Sequence, residues 1–174
     1  MGANKKRLYL ALYPSGSASG KEELRYHWSF LVGPKIEEGV CVPGMRYHVK
    51  DPLRQGWKYE ACKVKDIRCT VNLLARIVIA KIEDEERLIE IFKSTPVNGD
   101  DKEFNCRTWV KDAVNRLADD GKAVGTAVLD WDELEKRSRE YVVEKHKGGR
   151  YDEGQDMTQP KPTWDLLENK ELIS

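Results

Sequence analysis

A net charge is missing from this sequence. Lysine plus arginine and aspartate plus glutamate each total 30, so the formal balance at neutral pH is zero. Without a basic surplus a chain has no general pull on polyanions, and nucleic acid is not an expected partner. Paired cysteines are missing as well. The four thiols, Cys41, Cys62, Cys69 and Cys106, contain no C-x-x-C pair, and Leu8 to Tyr13 is too short for a secretory h-region. They are expected as reduced thiols of a cytoplasmic protein with no metal and no cofactor, since structural zinc draws on close ligand pairs. Long apolar runs are absent too. The longest, Leu73 to Ile82, carries Arg76 and Lys81 and is half of what a bilayer span needs, so no stable membrane anchor is expected. Gly2 stands where an N-myristoyl chain attaches, but Lys6 replaces the Ser or Thr of that pattern.

What is present reads as strands followed by helices. Leu8–Tyr13 is rich in strand formers, Pro14 to Gly20 is a Ser/Gly loop, and Tyr26–Val32 is a second strand stopped by Gly33 and Pro34. Turn signals flank Val40 to Val42. Met45–Lys50, Trp57–Cys62 and Ile67–Val71 complete a meander, and Leu73–Ile82 is a β-branched run suited to a buried strand. Glu83–Ser94 and Asn105–Asp120 carry helical apolar stripes, the second ending at Gly121. Asp130–Lys147 is a highly charged helix with a thin stripe of Leu134, Tyr141 and Val142, expected on the outside. The pattern predicts one α+β domain over residues 1–147, an antiparallel sheet with packed helices. Residues 148–174 are expected as a C-terminal extension, a loop that returns to dock Trp164.

The chemistry concentrates at Cys106. Asn105 is a favoured N-cap, which makes Cys106 the first helical residue, with Phe104 and Trp109 at the staple positions. A thiol there lies beside unpaired backbone N–H groups and the positive end of the helix dipole, which favour the thiolate and can receive an oxyanion. Three histidines are available as a base: His27, His48 and His146. His146, between two lysines at a helix end, reads as a solvated cation. On an extended Tyr26–Val32, alternation sets His27 on the face opposite Tyr26, Trp28 and Phe30. A strand histidine or a helix cysteine is equally an ordinary packing residue, so these positions alone leave catalysis and structure both open.

Three segments together resemble the lecithin retinol acyltransferase-like branch of the permuted papain-like (NlpC/P60) superfamily. Tyr26-His27-Trp28-Ser29-Phe30-Leu31-Val32-Gly33 is similar to its first histidine strand, Arg46-Tyr47-His48-Val49 to its second, and Phe104-Asn105-Cys106-Arg107-Thr108-Trp109-Val110 to its cysteine helix. Over most of its length, including Pro162 to Leu167, the chain also looks like a group of small uncharacterised fungal proteins. The resemblance implies a single-domain permuted papain-like fold with Cys106 as nucleophile, His27 as general base and His48 as the group that orients it, although Ser29 or an acidic residue could take that last part. The activity implied is a cysteine hydrolase or acyl-transfer enzyme acting on an amide, thioester or isopeptide through an acyl-enzyme, with a small-molecule or peptide acyl substrate. The alternative is a non-catalytic module that keeps the fold and binds a protein partner, with the charged helix Asp130–Lys147 as the contact surface.

Overall fold

In the computed structural model, which describes residues 4–16 and 20–174, the strands gather their apolar residues onto both faces of one sheet. In chain order the elements are β1 (Arg7–Pro14), β2 (Tyr26–Gly33), β3 (Gly44–Lys50), β4 (Lys58–Val64), β5 (Ala75–Ile82), α1 (Glu85–Ser94), α2 (Cys106–Asp120), β6 (Val124–Ala127), α3 (Trp131–Lys147), β7 (Thr163–Asp165) and β8 (Lys170–Ile173). The sheet runs β4-β3-β2-β1-β5-β7-β8, with β6 also on β5. All pairings are antiparallel except β5 with β7. The molecule is therefore an α+β domain with an open, mostly antiparallel sheet and three helices. Gly2 and residues 17–19 of the expected Ser/Gly loop lie outside the described residues.

The two faces are covered differently. Leu8, Leu10 and Leu12 of β1, Trp28 and Phe30 of β2 and Tyr47 of β3 form one core with Trp109, Val110, Ala113, Val114 and Leu117 of α2 and with buried residues of α1 and α3. Phe30 stacks on Phe92 at 4.5 Å, which locks α1 to the middle of the sheet. On the other face Tyr9, Ala11, Tyr13 and Leu31 pack under the loop residues Val42, Ile67 and Leu73. Beneath that cover Arg76 is fully buried, stacked over Tyr9 and held by Glu37 through two hydrogen bonds of 2.7 and 2.9 Å.

Three expectations need correction. Ile67–Val71 is a turn rather than a strand: the Asp66 carboxylate accepts from the Arg68 N–H, an Asx turn that uses the groups a ladder would need. Helix α3 packs by more than the thin stripe of Leu134, Tyr141 and Val142, all of which are buried, since Trp131 and Ser138 join them. The tail is not a docked loop: Thr163–Asp165 and Lys170–Ile173 are strands joined by a turn at 166–169. Trp164 does dock, with its ring 6.0 Å from that of Tyr141, but as part of β7, which pairs with β5. No helix among the described residues is long and apolar enough to cross a membrane.

Candidate functional site

The site begins where a ladder stops. β2 and β3 pair only at Phe30–Tyr47, Leu31–Arg46 and Val32–Met45, so the strands part toward Tyr26. The Arg25 carbonyl accepts from Ser15 on the β1 side, at 3.3 Å. Alternate residues present their backbone groups to opposite edges, so the Tyr26 carbonyl and the Trp28 N–H face the opening toward β3.

Cys106 fills that opening from the helical side. Asn105 caps α2 through a capping box, its side chain accepting from the Thr108 N–H at 3.1 Å while the Thr108 hydroxyl accepts from the Asn105 N–H at 2.9 Å. The cap fixes the first turn, and the Cys106 thiol, buried, donates to the Tyr26 carbonyl at 3.9 Å. Backbone N–H groups of Trp28, Arg107 and Cys106 itself face the sulfur. They favour the thiolate, as a helix start should, but burial is the larger influence and pushes the thiol above its ordinary range. The activated thiolate expected from the helix start is thus not the state of this thiol.

The imidazoles lie on the other face of β2. His27 sits opposite Tyr13 in the β1–β2 register, and its ring is 6.0 Å from the Tyr13 ring. Its Nε2 is 2.8 Å from Nδ1 of His48, whose Nε2 is 3.0 Å from Oε1 of Glu60. Lys50 binds the second oxygen of Glu60. Hydrogen bonds from His48 and Lys50 hold the Glu60 carboxyl down to about 2. Burial first, then the neighbouring His48 and Arg46, lowers His27 to about 4, and burial likewise lowers His48.

These contacts fix the tautomers. Glu60 is ionised and can only accept, so His48 carries its proton on Nε2 and accepts at Nδ1. His27 must then donate from Nε2, which leaves a lone pair on its Nδ1. The chain Glu60–His48–His27 therefore ends in a neutral imidazole in the form of a general base.

The structure brings His27 and His48 together and adds Glu60, which sequence reasoning missed. It joins Cys106 to neither: among the described residues no hydrogen bond links the thiol to an imidazole, and the two approach β2 from opposite faces. The contact expected between Cys106 and His27 is not formed in this state. Glu60 was open to discovery, since alternation along an antiparallel β4 puts it directly across from His48. Ser29, the other candidate for orienting the base, is buried with its hydroxyl unpartnered. His146 is exposed at the end of α3. Ligand atoms of His48, Glu60 and Cys62 lie within 4.8 Å of one another, a set that could hold a metal ion, though Lys50 and Arg46 beside it oppose added positive charge.

Over residues 5–173 the sequence matches the family of unknown function DUF6914, and the chain belongs to that family. No curated protein and no solved structure matches it.

Proposed function

We propose that the protein is a cysteine acyl-transfer enzyme or hydrolase of permuted papain-like type, acting on an amide, thioester or isopeptide, with Cys106 as nucleophile, His27 as base, and His48 and Glu60 as the groups that orient it. The observation that carries this reading is the Glu60–His48–His27 chain, whose hydrogen bonds leave an unprotonated Nδ1 on the residue next to the Tyr26 carbonyl that holds the thiol. Support also comes from the order of parts: histidine strand, second histidine strand, then a capped cysteine helix packed on the sheet.

In this mechanism the thiol and imidazole meet through the opening between β2 and β3, by rotation of the Cys106 or His27 side chain. The sulfur attacks the acyl carbonyl carbon as the thiol proton passes to His27 Nδ1. The N–H groups of Trp28 and Arg107 stand beside the sulfur, in place to receive the oxyanion. Collapse breaks the bond to the amine or thiol, which leaves with that proton. A water or second nucleophile, deprotonated by His27, then cleaves the thioester and restores the thiol.

A second reading, a fold kept for protein binding without turnover, draws on the buried thiol and its bond to Tyr26. One experiment separates the two. In protein with Cys41, Cys62 and Cys69 changed to serine, p-nitrophenyl acetate should acetylate Cys106, read by intact mass, and a folded His27→Ala variant should do so about 100-fold more slowly. Equal rates with and without His27, or acetylation only after denaturation, would overturn the acyl-transfer reading in favour of the second.

A further inference from the structure

On the loop-covered face a cavity of about 500 Å³ opens beside the imidazole chain, lined by Val40, Cys41, Arg46, Val64, Lys65 and Val71, among others. We propose that this cavity binds a small organic carboxylate with a short apolar tail, and that Arg46 is its anion-binding residue. The inference does not depend on acyl transfer at Cys106.

Arg46 is the reason. Arg46 is half-buried, and a guanidinium partly shielded from water is best satisfied by a carboxylate. Among the described residues no carboxylate forms an ion pair with Arg46. Its Nε is buried with no hydrogen-bond partner. The groups beside its guanidinium are the Tyr13 hydroxyl and the Cys62 thiol, both neutral acceptors, and its centre lies 5.9 Å from the Tyr13 ring. Asp66 also lines the cavity but is engaged by Arg68 at 2.7 Å. Lys65 adds a second cation to the lining.

The rest of the lining sets the tail. Val40 and Val71 are 95% and 83% exposed at the rim, and Val64, half-buried on β4 two residues beyond the partner of Arg46, adds apolar lining. Apolar side chains left in water around an unpaired guanidinium fit a ligand with one charged end and one apolar end. An arginine fork receives a carboxylate through two parallel hydrogen bonds, which a phenol and a thiol do not replace. The volume suits a small molecule rather than a polymer. Arg46 also lies close enough to His27 and His48 to weaken their hold on protons. Other groups facing the imidazoles are Tyr13 on β1, Lys50 on β3 and Glu60 on β4.

The test titrates hexanoate into Cys106→Ala protein, which reads binding without turnover, by calorimetry and by the imidazole resonances. Saturable binding is expected, with the imidazole resonances of His27 and His48 perturbed. Arg46→Gln should weaken it at least tenfold, and Arg46→Lys less. Val71→Glu, at an exposed rim position that leaves the fold intact, should weaken it by like-charge repulsion. The inference is overturned if hexanoate does not bind, if hexanamide binds equally well, or if a Val71→Glu protein of unchanged thermal midpoint binds hexanoate as before. Binding of hexanoate with no acetylation of Cys106 would sustain this site while removing the acyl-transfer reading.

Discussion

His27 gains nothing from its proton in the folded protein. Burial, and then the neighbouring His48 and Arg46, hold its titration down to about 4, whereas an unfolded histidine titrates near 6.5. Between those values the unfolded chain binds a proton that the folded chain refuses, so stability is full above pH 6.5 and is lost as the pH falls toward 4. The slope from this one group is at most about 1.4 kcal/mol per pH unit. Denaturant midpoints at pH 7 and pH 5 should therefore fall more for the wild type than for His27→Gln. Parallel lines for the two proteins would mean that the imidazole is open to water and to protons. His48, lowered in the same direction, adds to the loss, and Glu60, held down to about 2, adds its own only in more acid solution.

At the scale of the element, α2 owes its start to one residue. Asn105 supplies an acceptor for the Thr108 N–H, and Thr108 returns the bond, so two otherwise unpaired N–H groups are satisfied. Asn105→Ala should cost about 1 kcal/mol, seen as a lower thermal and denaturant midpoint. An unchanged midpoint would place the stability of the helix start in packing alone. The cap was legible because Asn-Cys precedes an apolar stripe, and Gly121 was legible as the stop, where it takes a positive φ of 66°. β6, by contrast, gives no local signal. Its four residues, Val-Gly-Thr-Ala, are a strand only because the edge of β5 is there to pair with. The turn at 66–71 fails for the converse reason: its residues have strand propensity, but the Asp66 carboxylate closes the backbone on itself.

For the whole molecule, the last strands are structural members. β7 supplies the Thr163 hydroxyl to the buried Arg76 at 3.0 Å, and β8 brings Glu171 to the Tyr141 hydroxyl at 2.6 Å. β7 also covers the parallel edge of β5. A chain ending at Asp156 should leave that edge and the Arg76 guanidinium partly unpartnered, and should aggregate or lose its cooperative thermal transition. A truncated protein that is monomeric on size exclusion and melts at the full-length temperature would mean that the earlier strands suffice.

Local chemistry in the sequence determined the class of the domain, the capped helix with Cys106 at its head, and the side of β2 from which His27 points. Period, cap and turn residues act over a few neighbours, so a single chain displays them. Which groups meet was decided by tertiary structure. The pairing of β3 with β4 put Glu60 across from His48, and the parting of β2 from β3 set the thiol against the Tyr26 carbonyl. Burial then raised the thiol that the helix start, taken alone, would have lowered. Desolvation and register depend on what the rest of the chain brings alongside, and no local pattern encodes them.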